Sequence, residues 1–320
     1  MSRKTVRGVL AYWLAGALLL CLSYGLPRLL PGDFVTATWG AADVPLAAEQ
    51  AARLRAHYAG GDGLAAYGLD LLRGRWGTSF AFQQPVLTLI GDALPWTLVL
   101  VGSAHLLATL GGFVAGVEVA WRRGSRLEKA GVGAMAVLDG VPELVSGVLL
   151  LLVFALKLGW FPAAGAETAY AEFTGVRRLA DLTHHLALPL ATLVLAQFPG
   201  NFLLARGSMA LVLGAPYVQT ARAKGLPPLR VRYAHAARNA LLPLVTRFGL
   251  RLAALVTGAL VVETLFSYPG LGSLLFHAIG RRDLPLVQGI ALCSSLLVLL
   301  VNLALELAYG RLDPLVTGGR

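Results

Sequence analysis

"YVQTARAKGLPPLRVRYAHAARNALLP", residues 217–243, is a basic stretch between two runs of almost pure hydrocarbon. It carries Arg222, Lys224, Arg230, Arg232, Arg238 and the partly charged His235, and it is broken at Pro227–Pro228. With the two residues before it, its first part reads "APYVQTARAKG", a short helical piece ended by Gly225. Glycine accepts left-handed backbone at no steric cost, so it ends a helix cleanly. Ala221 and Ala223 are small, and another surface can approach them closely. After the prolines a second helical piece begins and merges into the next apolar run. Helix, tight turn and helix together suit a rigid knob for a soluble partner. The plainer reading is a loop whose charges only hold it inside the cell.

The rest of the chain explains why this stretch stands out. Of its 320 residues, 57% are hydrophobic and 14% charged. Soluble domains carry about 25% charged residues. So little polarity cannot cover a globular surface, and the chain reads as an all-α, multi-pass membrane protein. The net charge of +10 sits in short loops between apolar runs. That is a topology signal, not a nucleic-acid-binding face. Cys21 and Cys293 lie far apart in apolar runs and read as small core residues.

A spanning helix needs about 20 apolar residues. Six segments qualify, at about 8–30, 93–119, 131–158, 186–204, 241–266 and 284–308. The first follows a basic start and resembles a signal peptide, but its apolar part is longer than one, so it reads as an uncleaved helix. Arg3, Lys4 and Arg7 precede it, Arg122, Arg123, Arg126 and Lys129 join the second run to the third, and the basic stretch joins the fourth to the fifth. Six spans place all three on one side, which is then the cytoplasm, with both termini. A long extracytoplasmic loop, residues 31–92, holds helix-like pieces separated by glycines. The cytoplasmic loop covers 206–240, and the whole of 1–320 reads as one transmembrane domain.

No GxxxxGK[ST], HExxH or GxSxG occurs, so neither nucleotide hydrolysis through a phosphate-binding loop nor a recognisable catalytic site is expected. His184 and His185 are adjacent and point different ways on a helix, which suits an interfacial role better than a metal site. "AVLDGVPELVSG", residues 136–147, puts Asp139 and Glu143 inside the third run. Four apart on one helix, they would share a face. Each costs on the order of 2.5–3.5 kcal/mol at bilayer depth, so both should face protein or a wet path. They either line a path favouring cationic cargo, or lie near an end or satisfy neighbouring helices. Glu118 falls near the cytoplasmic end of the second run and reads as interfacial.

The basic stretch resembles the cytoplasmic coupling loop of peptide/nickel-type ABC-importer permeases, in which "YVxTARAKGL…H…RNALLP" recurs. Tyr217, Thr220, Ala221, Arg222, Ala223, Lys224, Gly225, His235 and Asn239 match it. The likeness covers nearly the whole chain. "RLLPGD" (28–33, with Pro31, Gly32 and Asp33), "LPWTL" (94–98), "LVFALKLGWFPAAGA" (152–166), "VVETLFSYPGLG" (261–272, with Glu263, Pro269, Gly270 and Gly272), "RRDLPLVQGI" (281–290) and the terminal "LDP" match in order and spacing. "PGNFLLARG" (199–207) departs, with Leu203 where relatives often have arginine. Pro199–Gly200 there should loosen the fourth helix.

The resemblance implies a type I permease fold with six transmembrane helices in a bacterial-type inner membrane. It implies a homologous second permease, two cytoplasmic ATPase subunits that bind ATP and Mg, and an extracytoplasmic solute-binding protein. No cofactor or metal is expected on this chain itself, and no nucleic acid. The 217–225 piece would carry the ATPase's motion into the membrane. Arg222 and Lys224 would meet acidic rims there, or simply hold the loop inside. Glu263 would order the outer end of the fifth helix. Cargo in such systems includes peptides, nickel or its chelates, glutathione and some sugars. The alternative is an autonomous secondary transporter or channel using Asp139 and Glu143 as ion sites.

Overall fold

Backbone in hydrocarbon has no water to bond, so each apolar run must close its hydrogen bonds within itself. The computed structural model describes residues 14–25, 49–50, 52–53, 63–252 and 255–312. Helix dominates these residues, and the extended structure among them is an isolated bridge, Thr78 to Pro85. In chain order the helices are α1 (Leu14–Gly25), α2 (Leu64–Leu72), α3 (Val86–Trp121), α4 (Arg126–Asp139) and α5 (Glu143–Leu150, continued by a π-helical Leu151–Lys157). Then come α6 (Gly175–Val212), α7 (Pro216–Ala223), α8 (Pro228–Arg230, a π-helical Val231–Ala237, and Arg238–Ala240) and α9 (Leu242–Leu252). Last are α10 (Leu255–Leu265), α11 (Leu271–Gly280) and α12 (Leu284–Leu312).

Three of these are long and apolar enough to cross a membrane: α3, α6 and the Leu284–Leu303 part of α12. Their outward side chains are themselves apolar. On α3, Leu98, Val99, Leu106, Leu107, Leu110 and Val114 are all exposed. An aqueous surface would not carry such a belt; lipid or another apolar helix suits it.

The remaining runs differ from the sequence expectation. The third is not one continuous helix: it is long and apolar enough to cross a membrane only as a pair, α4 and α5, bent by 96° at Gly140–Pro142. Pro142 lacks an N–H and disfavours helical backbone at Val141, so hydropathy persists while the helix does not. Asp139 therefore ends one helix and Glu143 begins the next, and the shared helical face does not exist. Helix α6 is continuous through Pro189 and also through Pro199, beside Gly200, where the sequence was read as loosening the helix. It also starts at Gly175, ahead of the run at 186–204. The fifth run is described as α9 and α10, and the first only over α1. Cys21 is exposed on α1, not buried as expected, and Cys293 is half-buried. The motif residues Pro31, Gly32 and Asp33 and both chain termini lie outside the described residues.

Contacts divide the chain into two compact units, Thr97–Tyr268 and Met1–Trp96 with Pro269–Arg320. In the first, α3 packs against α6 through Gly112 and Gly116. A Cβ on Gly116 would lie 2.6 Å from Phe202 O and 2.7 Å from Ala205 Cβ, and one on Gly112 would lie 2.8 Å from Asn201 Cβ. The GxxxG spacing puts both glycines on one face and lets the two backbones meet. In the second unit, buried Asp283 precedes α12 and accepts from Leu286 N at 3.3 Å, capping that helix. The same carboxylate accepts from Ser79 Oγ at 2.5 Å and Ala81 N at 3.0 Å, fixing the turn that leads into α3. Arg281 lies over the Phe82 ring, 5.5 Å from its centroid.

Candidate functional site: a basic knob and an intramembrane charge cluster

Proline at the first position of α7 costs no hydrogen bond and presets its backbone. The helix closes at Lys224, whose N–H donates to Thr220 O at 3.0 Å. Gly225 follows at φ +69°, and its N–H donates to Arg222 O at 2.9 Å. Pro227–Pro228 then opens α8. Asn239 Nδ2 donates to Tyr217 Oη at 2.7 Å, which clips α8 back to the start of α7.

The inner side of α7 is part of the protein's own core. Val218 and Ala221 are buried with Val117 and Ala120 of α3, Met209 of α6, and Val231, Ala236, Ala237 and Ala240 of α8. This separates the two alanines. Ala221 is small because α7 packs closely on its own chain, whereas Ala223 is exposed with Thr220, Arg222, Lys224 and Gly225. Tyr217 is also exposed, and His235 is half-buried on α8.

The end of α3 anchors this knob through Glu118 and through Trp121, which the local pattern did not single out. Arg222 from α7 and Arg232 from α8 both lie over the Trp121 ring, at 5.0 and 4.8 Å from its centroid. Guanidinium over an indole face is the strongest of the cation–π pairings. Glu118, one turn earlier, accepts from Arg232 Nη1 at 2.6 Å on both oxygens and from Tyr233 Oη at 2.7 Å. Burial first, then the Glu118 carboxylate, pushes the Tyr233 phenol up. So Glu118 is a tie between helices, beyond the interfacial role expected of it. A second tie joins α4 to α6: Arg206 Nε donates to Glu128 Oε1 at 2.9 Å, and Arg206 Nη2 reaches the same oxygen. Ser125 Oγ caps α4 by accepting from Glu128 N. A carboxylate at the end of an apolar helix beside a basic loop was the available signal for both ties.

Deeper in the same unit, a cavity of about 280 Å³ is lined by Val101, His105, Val141, Glu143, Leu193, Ala196, Gln197 and Arg251. His105 stacks on Phe248 with centroids 4.4 Å apart. Its Nδ1 lies 2.7 Å from Gln197 Oε1 and its Nε2 lies 3.0 Å from Phe248 O. Asp139 and Arg247 meet beside Gly200, where Arg247 Nη1 donates to Gly200 O at 3.3 Å. A Cβ at Gly200 would sit 3.0 Å from Asp139 Oδ1 and collide with Arg247 Nη2. The neighbourhood thus holds two carboxylates and two guanidiniums, where the sequence was read as an acidic lining.

Glu263 is fully buried and accepts from Thr97 Oγ1 at 2.6 Å. Burial, with Glu263 beside it, pushes the Tyr268 phenol up to about 12. Gly270 is the extended cap of α11, buried Gly272 lies in that helix's first turn, and Pro269 is exposed. His184 Nε2 lies 2.8 Å from Trp160 O, and His185 Nδ1 lies 3.0 Å from Asp181 O.

Residues 108–318 match the family model of binding-protein-dependent transport system inner membrane components. The di/tripeptide transport system permease protein DppB of Pseudomonas aeruginosa is 35% identical over 313 residues, 92% of each chain. The oligopeptide transport system permease protein AppB of Bacillus subtilis is 36% identical over 246 residues, 77% of each chain. The dipeptide permease DppB of Escherichia coli K12 is 34% identical over 261 residues, 76% of this chain and 77% of that one. Among solved structures, the inward-facing MetNI methionine ABC transporter aligns with a TM-score of 0.55 at 15% identity, over 71% of this chain and 97% of its own. That likeness is one of fold.

Proposed function

Because the chain belongs to the family of binding-protein-dependent transport system inner membrane components, we propose that it forms half of a peptide importer's path and is worked by a separate ATPase through α7. It is the permease subunit of an ABC importer, and its relatives carry the names of peptide systems. The observation that carries the coupling reading is the division of α7. One side is built into the core of its own unit, while Thr220, Arg222, Ala223, Lys224 and Gly225 stand exposed. A helix anchored this way moves its neighbours when it is pushed.

In this reading a homologous permease completes the path and two ATPase subunits hold the ATP and Mg. An extracytoplasmic binding protein delivers cargo. Both termini and α7 lie in the cytoplasm, as the basic loops require. ATP-driven closure of the ATPase pushes α7, and Trp121, Glu118 and Arg232 hand that motion to α3. Nickel remains the cargo of other members that the sequence resembles; the peptide names favour peptides here.

The test is to purify the chain from its own membrane and to place a cysteine at Ala223. Copurification of an ATPase with a phosphate-binding loop, crosslinking to it through position 223, and uptake that needs ATP are expected. Uptake by the chain alone, driven by an ion gradient without ATP, would overturn the reading.

A further inference from the structure

The Glu143 cavity carries polar capacity that the chain itself leaves unused. Glu143 Oε1 is buried and has no hydrogen-bond partner. An unpartnered carboxylate oxygen costs free energy unless something else supplies a donor. Arg251, on the same cavity, is half-buried; Arg247, Asp139 and Glu143 are the charges that act on it, and it closes no ion pair with either carboxylate. His105 has both ring nitrogens engaged inside the chain, so it contributes a wall. The remaining lining is Val101, Val141, Leu193 and Ala196, which is apolar, together with Gln197.

The neighbouring charges lie at the Gly200 backbone and not on the cavity lining. Asp139 and Arg247 crowd the Gly200 backbone, and Arg247 donates to its carbonyl. That leaves one negative and one positive group on an apolar-walled cavity of about 280 Å³. This is near the lower limit of about 300 Å³ for small-molecule pockets. A simple cation would answer Glu143 and leave Arg251 facing it. A simple anion would do the reverse. A small molecule with both charges answers both.

We infer that this cavity binds a small zwitterion bearing a free ammonium and a free carboxylate, the ammonium at Glu143 and the carboxylate at Arg251. Short peptides and amino acids with unblocked ends have this chemistry. The inference rests on the importer reading and deepens it: the membrane subunit itself checks that both ends of its cargo are free. It replaces the cation-favouring path expected from two acidic residues, because Arg251 faces the same space.

The test uses the complete importer complex in lipid nanodiscs and proteoliposomes, with radiolabelled L-alanyl-L-alanine as probe. Equilibrium binding without the binding protein is measured alongside ATP-driven uptake. Glu143→Gln and Arg251→Gln should each weaken binding on the order of tenfold or more, the size of one charge-assisted hydrogen bond. In the wild-type complex, which carries no folding risk, N-acetyl and C-amide forms of the probe should weaken binding equally. Acetylation should cost nothing further in Glu143→Gln, nor amidation in Arg251→Gln. Binding that depends on both residues without ATP-driven uptake supports the zwitterion site and refutes the importer reading. ATP-driven uptake with binding indifferent to both residues and to both blocking groups overturns the site and leaves the importer. Absence of wild-type binding also overturns the site.

Discussion

Replacing Gly225 tests whether the knob works through its backbone. Gly225 sits at φ +69°, and a Cβ built there meets nothing within 4 Å. Any effect of a side chain is therefore conformational and not a clash inside the chain. An L-residue in left-handed backbone costs about 1–2 kcal/mol, and a β-branched residue is a genuine outlier there. The turn is held by Gly225 N to Arg222 O at 2.9 Å and a weaker bond from Leu226 N to Ala221 O at 3.4 Å. Those bonds cannot absorb the strain without moving. In Gly225→Val the native turn should fall in population by roughly five- to thirty-fold. Gly225→Asn, which tolerates the same backbone, should lose little. Uptake per ATP hydrolysed in reconstituted complexes is the assay, with membrane insertion as control. Val should uncouple hydrolysis from uptake and Asn should not. Full coupled uptake by Val refutes the argument. Equal defects in Val and Asn would mean that bulk against a partner, not backbone, is what matters.

Glu118→Gln should lower the unfolding stability of the purified complex by about 1–2 kcal/mol, since it weakens hydrogen bonds to Arg232 and Tyr233 at a half-buried site; Tyr233→Phe should cost less, as a thermal melt would show. Gly116→Leu should drive α3 off α6, because Phe202 O and Ala205 Cβ already occupy the space, and folded protein should be lost from the membrane. Asp283→Ala removes the cap of α12, worth about 0.5–2 kcal/mol, and the ties to Ser79 and Ala81. Limited proteolysis should then cut within residues 78–85; unchanged protection would show that the turn holds itself.

Much of the fold was legible because hydropathy is a local property. The run at 93–119 lies within α3, and 284–308 lies within α12. The turn at Gly225 was legible too, since proline and glycine mark helix ends for steric reasons. Averaging over a window hid the break at Gly140–Pro142, although both residues stood in plain view, and with it went the argument that Asp139 and Glu143 share a face. The GxxxG pair at Gly112 and Gly116 was also visible but passed over. Other features leave no local trace. Ser79 and Asp283 are 204 residues apart, and Glu118 and Arg232 are 114 apart. Which alanine of α7 turns inward depends on α3, α6 and α8 arriving to cover it. The arginines that balance Asp139 and Glu143 come from α9, and only folding brings them there.

Helix α6 has 38 residues, and at 1.5 Å each it measures about 57 Å along its contour. The hydrocarbon layer is about 30 Å thick. The contour of α6 therefore exceeds the oily layer by about 27 Å. One end carries Asp181, which accepts from Thr168 N and Oγ1; the other carries Arg206 and the Met209 seat of the knob. Pro189 and Pro199 lie inside α6 and each withholds a backbone N–H from the helical ladder, so it is one continuous element with two softened points. A push at the Met209 seat is passed along one unbroken backbone toward Asp181, less whatever bending the two prolines take up.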